Sequence, residues 1–180
     1  MLTDGFLIRR AEPSDAAALA ALGARTFADT FGADNDPEDM RAYLADAYGE
    51  PQQLAELANP DVVTLVGEQS RVLLAFSQVR RAPAPGCVTL TSPVEIWRFY
   101  VDRAWHGRGV ATTLMDEALN AARELGGASV WLSVWEKNPR AIAFYTKSGF
   151  SIVGSKVFIV GRDHQRDRVM AREIEHSPAV

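Results

Sequence analysis

The 180-residue sequence predicts a mixed α/β fold, and three observations predict it. Short β-branched and aromatic runs occur at 62–67, 72–80, 94–101 and 130–134. Between and before them, apolar residues recur at helical spacing, as in Leu19, Leu22, Thr26 and Phe27, or Val110, Leu114, Ala118, Ala121 and Leu125. Start and stop signals bracket the helical stretches: Asp36-Pro37, Asn138-Pro139, Gly126-Gly127 and Gly149.

In chain order, Phe6-Leu7-Ile8-Arg9 is a short first strand. Pro13-Ser14-Asp15 starts a helix, with Ser14 or Asp15 expected to cap its free amides, and Phe31 ends that stretch before Gly32. Asn35-Asp36-Pro37-Glu38-Asp39 starts a second helix with acids near its positive end, and Met40, Tyr43, Leu44 and Ala47 form its apolar face. A short helix from Pro51 through Leu54 and Leu57 stops at Asn59-Pro60. Strands at 62–67 and 72–80 follow, joined by a turn at Gly67-Glu68-Gln69-Ser70. The loop from Ala82 to Pro93 is irregular, with a short extended piece expected at 87–90. After the strand–helix unit 94–125, a strand carries Val130, Leu132 and Val134 on one face and Trp131, Ser133 and Trp135 on the other. A helix from Asn138 to Gly149 comes next, then strands at 151–153, 157–160 and 169–174, and a tail at 175–180 expected to fray.

Composition narrows the function. The length fits one domain with a real core, residues 1–180. Hydrophobic residues are 47% and charged residues 23%, and the net charge of -4 argues against a nucleic-acid footprint. The single Cys87 excludes an intramolecular disulfide, and no long apolar run suggests a membrane span. Both facts, with no signal-peptide pattern, lead to an expected cytoplasmic location. Three scattered histidines, His106, His164 and His176, give no metal-ligand spacing, so no metal is expected.

The stretch that carries chemistry is Val94 to Ala111: a strand, then His106-Gly107-Arg108-Gly109, then a helix. A glycine loop opening a helix presents unpaired N–H groups at the positive end of the helix dipole, which suits phosphate. No Gly-Lys-Ser/Thr ending exists, which removes a Walker A loop. Gly107-x-Gly109-x-x ends at Thr112 rather than a third glycine or alanine, which argues against a dinucleotide fingerprint.

His106-Gly107-Arg108-Gly109-Val110-Ala111 is similar to the acyl-CoA loop of the GNAT N-acetyltransferases, Gln/Arg-x-x-Gly-x-Gly/Ala, with His at the first position. Residues 129–150 resemble the second motif of that superfamily: a strand, Asn138 at the next helix start, Tyr145 two turns on, and a closing Gly149-Phe150. The resemblance covers roughly residues 94–153. It implies a mixed, mostly antiparallel sheet flanked by helices, with a splayed parallel strand pair holding acetyl-CoA. It also implies direct attack by a primary amine on acetyl-CoA in a ternary complex.

By that resemblance, backbone groups of Phe99, Tyr100 and Val101 hold pantetheine, and amides of Gly107, Arg108, Gly109, Val110, Ala111 and Thr112 hold the pyrophosphate. His106 and Arg108 are candidates to add charge there, with Arg108 alternatively a solvated surface side chain. Tyr145 is the candidate general acid for the leaving thiolate, or a core residue of its helix. Asn138 caps its helix and is a second candidate contact to pantetheine. Glu95 is the candidate base, with Glu136 second; each could equally be a salt-bridge partner. On the acceptor side stand Phe27, Phe31, Tyr43, Trp97 and Trp135, as cation–π walls or as core.

The run Arg25 to Gly32, together with Trp97 to Val101, Val134 to Asn138 and Asp167, resembles the polyamine-acetylating branch. The expected partner is therefore a small amine such as spermidine or spermine, with no nucleic acid and no membrane. A second copy of the chain stays open as a partner. The rival readings are a protein N-terminal or lysine acceptor, and a non-catalytic acyl-CoA sensor.

Overall fold

The computed structural model describes residues 5–175; positions 176–180 of the expected frayed tail, with His176, lie outside them. Phe6–Arg10 is strand β1, and Ala16–Phe31 is helix α1. Helices α2 (Pro37–Ala47) and α3 (Glu50–Ala58) follow. Strands β2 (Val62–Gln69), β3 (Val72–Arg80) and β4 (Pro93–Val101) lead into helix α4 (Val110–Glu124). Strand β5 (Ser129–Trp135), helix α5 (Pro139–Lys147) and strands β6 (Ser151–Val160) and β7 (Asp163–Glu173) complete the described fold.

The seven strands form one sheet in the order β1-β2-β3-β4-β5-β7-β6. Every neighbouring pair is antiparallel except β4 and β5. One face is covered by α4 and α5, where Val110, Leu114, Met115, Ala118 and Leu119 pack with Val94, Ile96, Leu132 and Val134. Each Val, Leu or Met fully buried there contributes about 1.5–3 kcal/mol. The other face is covered by α1 and α2, through Leu19, Leu22, Phe27, Phe31, Met40 and Tyr43 against Phe76, Trp135, Phe158 and Val160.

Several local expectations change. Ser14 and Asp15 do not cap α1 through their side chains. A 3₁₀ turn at Pro13–Asp15 precedes it, and the Asp15 carboxylate instead accepts from Arg9 (2.7 and 2.9 Å) and the Glu12 N–H (2.8 Å). Arg9 and the Glu12 N–H occupy those oxygens in place of the first amides of α1. The β2–β3 turn sits at Ser70 and Arg71, both left-handed (φ 51° and 65°), and a bulge at Gly67–Glu68 absorbs the register change.

Residues 87–90 form no strand. Ala84, Cys87, Val88 and Leu90 pack as loop onto Trp131, Val169 and Ala171, covering sheet that no helix reaches. The expected strands at 151–153 and 157–160 are one strand, β6, with a bulge between Ile152 and Gly154. Gly154 permits this because a Cβ there would fall 2.6 Å from the Cys87 sulfur. Strand β7 begins at Asp163 rather than at 169, because pairing with β6 extends it to the hairpin tip. Arg162 anchors that tip to α2 by donating its N–H and Nε–H to Asp39 (3.2 Å each).

Candidate active site

Strands β4 and β5 are paired only through Pro93, Val94 and Glu95, against Ser129, Val130 and Trp131. Beyond that point β4 pairs only with β3, and β5 only with β7. The facing edges of 96–101 and 132–135 therefore carry backbone groups that no strand satisfies, which suits an extended, amide-bearing ligand. A bulge in β4 accompanies the split: Gln78 pairs with Arg98 and Val79 with Ile96, so Trp97 is an extra residue. The bulge bends β4 and reverses its faces. Val94 and Ile96, and after the bulge Phe99 and Val101, face α4. Tyr100 packs with the α1 layer.

Two features close the α4–α5 side of the gap. Gly107 and Gly109 are both left-handed (φ 76° and 88°), and Gly109 is the N-cap of α4. Glycine makes that turn without the Cβ strain other residues would carry. The loop thus aims the first amides of α4, from Val110, Ala111 and Thr112, at one point, where a helix start favours an anion. His106 ties this loop across the mouth of the gap. Its Nδ1 accepts from Arg140 Nη1 (2.5 Å), which leaves Nε2 to donate to the Val101 carbonyl (2.9 Å). Arg108 lies over Trp105, 4.9 Å from the ring centroid.

Sequence reasoning missed Arg140. Its signal was a cation in the first turn of α5, where the dipole disfavours one unless an anion is near. Asn138 caps α5, accepting from the Ala141 N–H (3.1 Å).

Tyr145 lies on the same side, buried at 8% exposure. Its ring meets Phe99 (6.1 Å), Phe144 (5.5 Å) and Phe150 (5.9 Å), so α5 brings it against β4 where pairing with β5 has ended. Burial pushes its hydroxyl above the usual tyrosine range, so the phenol carries its proton at neutral pH.

The other side of the gap is aromatic and charged. Phe27 touches Phe31 (4.4 Å), Tyr43 (4.7 Å) and Tyr48 (5.8 Å); Phe31 touches Trp135 (5.2 Å), and Tyr43 touches Phe158 (5.9 Å). Phe158 was not anticipated, because its hairpin was read as broken strands. The Lys137 ammonium stands 5.7 Å from the Trp135 ring centroid. Trp97 is not in this cluster; it lies between the guanidiniums of Arg80 (3.7 Å) and Arg98 (3.9 Å).

Arg98 is buried and donates to Glu56 (2.5 Å), Gln78 (2.5 Å) and the Ala47 carbonyl (3.2 Å). Tyr48, bonded to Tyr100, lies 4.9 Å beneath its guanidinium. This network joins α3, β3 and the β4 bulge, and no local pattern announced it.

Both candidate bases have cationic partners. Glu95, 3% exposed, accepts from Arg80 Nε at 2.6 Å in the paired part of β4. Glu136 lies 3.4 Å from Arg168.

Comparison with known proteins agrees with this geometry. The acetyltransferase (GNAT) family matches residues 25–150. An uncharacterized N-acetyltransferase of Mycobacterium bovis is 33% identical over 162 residues, 89% of this chain and 99% of that protein. An uncharacterized N-acetyltransferase of Lactobacillus delbrueckii subsp. lactis is 29% identical over 170 residues, 94% of this chain and 98% of that protein. Among solved structures, the PaiA N-acetyltransferase of Thermoplasma acidophilum in complex with coenzyme A superposes with a TM-score of 0.75. It is 19% identical and covers 93% of this chain and 98% of its own. YncA of Salmonella typhimurium, with acetyl-CoA, superposes at 0.64 with 20% identity, covering 98% of each chain. The phosphate-type loop, the split sheet and these likenesses lead to one conclusion: the chain belongs to the GNAT acetyltransferase family.

Proposed function

We propose that the chain acts as one catalytic domain that acetylates a small primary alkylamine, with polyamines such as spermidine or spermine as the first class. The observation that carries this reading is the aromatic wall of Phe31, Tyr43 and Trp135 on the face of the sheet away from the glycine loop. An alkylammonium over such rings gains about 0.5–2 kcal/mol, and the Trp135 ring already lies near one ammonium, that of Lys137.

In this reading the amides of Gly107, Arg108, Gly109, Val110, Ala111 and Thr112 hold the pyrophosphate, with Arg140 and Arg108 adding charge. The free edge at Phe99, Tyr100 and Val101 pairs with the pantetheine arm, and the Asn138 side-chain NH2 donates to it. Tyr145 gives its proton to the departing thiolate. The amine approaches from the aromatic side, so nucleophile and leaving group meet on opposite faces of the gap.

The test is thiol release from acetyl-CoA across spermidine, spermine, short diamines, amino acids, aminoglycosides and lysine peptides. Release with the alkylamines is expected. Release only with peptides would move the acceptor to protein amines. Binding of acetyl-CoA with silence across the panel would favour a sensor.

A further inference from the structure

Glu56, Glu68, Glu95 and Asp167 are four carboxylates on or against the acceptor face of the sheet. Three have an arginine: Glu56 with Arg98 (2.5 Å), Glu68 with Arg9 (2.7 Å) and Glu95 with Arg80 (2.6 Å). The fourth, Asp167 on β7, makes no ion pair among the described residues, although it is only 6% exposed. Ser133 donates to it, and Oδ1 is buried without a hydrogen-bond partner. Asp167 lies directly opposite Trp135 in the β5–β7 ladder and opposite Lys156 in the β6–β7 ladder, so all three share the acceptor face. The charged and titratable groups facing it are Lys156 from β6, Glu136 beyond β5 and the hydroxyl of Tyr43 from α2. Lys156 directs its ammonium to Trp131, 5.3 Å from the ring centroid. A buried carboxylate with an unmet acceptor is costly unless a cation completes it.

We propose that Asp167 receives the ammonium of the acceptor amine and takes its proton before attack. This rests on the alkylamine reading above and assigns the base within it to Asp167 in place of Glu95. The balance is simple. R–NH3⁺ gives one proton to the Asp167 carboxylate, which later releases it to water. The free amine forms the C–N bond to the acetyl carbon as the C–S bond breaks. The thiolate takes the Tyr145 proton, and the second proton lost by nitrogen restores the phenol. Asp167 suits this exchange better than Glu95, because its Oδ1 has no partner while Glu95 is already held by Arg80 Nε at 2.6 Å.

The experiment measures thiol release from acetyl-CoA with spermidine between pH 5 and 9, for wild type, Asp167→Asn and Glu95→Gln, together with CoA affinity and thermal midpoints. Asp167→Asn should lower kcat/KM by about 10²-fold with CoA affinity unchanged. The acid limb of the wild-type profile should vanish in Asp167→Asn and persist in Glu95→Gln, whatever that variant's absolute rate. Without amine, Asp167→Asn should also melt above wild type at neutral pH. Burial raises the Asp167 pKa in the folded state, so the stability tied to it is complete at low pH and lost as pH rises through the folded pKa. The gap in melting temperature should therefore close on acidification. An Asp167→Asn enzyme that keeps its acid limb, or turns spermidine over like wild type, overturns the assignment and leaves the alkylamine reading standing. A lower melting temperature for Asp167→Asn with unchanged turnover makes the residue purely structural. A wild type that acetylates no alkylamine removes the alkylamine reading, and this assignment with it.

Discussion

The two sides of the β4–β5 gap are built on different principles. The donor side is local: 99–112 and 138–145 supply the open strand edge, the glycine loop, the helix start and Tyr145. Much of its chemistry is backbone, held in place by glycine conformation and helix geometry. The acceptor side is assembled from α1, α2, α3 and strands β2 to β7, and its chemistry is side chain. It buries charges, matching Arg98 with Glu56 and Gln78 while leaving an Asp167 oxygen unmatched. A backbone site tolerates changes of side chain, whereas a site of matched buried charges fails when either partner is lost.

The largest expected effect breaks the acceptor side. Glu56→Ala strands the Arg98 guanidinium in the protein interior, at a cost of about 3–5 kcal/mol in unfolding free energy. Denaturant titration reads this directly, and a loss below about 1 kcal/mol, the range of exposed pairs, would show that the network is not tightly matched.

Next comes Tyr145, the proposed proton donor on the donor side. Tyr145→Phe keeps the packing against Phe99 and Phe150 but removes the proton, so turnover should fall about 10²-fold, or about 2.7 kcal/mol in barrier. CoA affinity, measured by calorimetry, should not move; unchanged turnover would return Tyr145 to the core alone.

A smaller effect is expected at Gly109. Valine there must hold a left-handed conformation that costs about 1–2 kcal/mol, which should weaken CoA binding about tenfold. Normal affinity would detach the loop from the phosphates. The mildest change sharpens the comparison from the other side. Asp36 caps α2 by accepting from the Glu38 N–H at 2.8 Å, and α2 carries Tyr43 to the aromatic wall. Asp36→Ala should cost about 1 kcal/mol of stability and raise KM for the amine while leaving the KM for acetyl-CoA alone.

The same division governs what could be read in advance. The strand–loop–helix at 94–125 and the Asn138-to-Gly149 helix were legible because each signal is contiguous: apolar period, glycine pair, cap, proline. The β2–β3 turn was misplaced because Gly67 marked a bulge, while Ser70 and Arg71 took up the left-handed turn without glycine. Strand β6 was split into 151–153 and 157–160, although Gly154 is the point where Cys87 presses on a continuous strand. Arg140 was overlooked because its partner, His106, is 34 positions away.

By itself, the sequence determined the α/β class, the order of most elements, the phosphate-type loop and the helix that carries Tyr145, because nearest-neighbour chemistry specifies each of them. Tertiary structure decided the rest. It placed the bulge at Trp97 that turns β4 and accompanies the split from β5, it gave Glu95 and Glu136 to arginines, and it left Asp167 buried beside Trp135 with an oxygen unmatched. Those outcomes depend on which strands become neighbours, and strand neighbours come from distant parts of the chain.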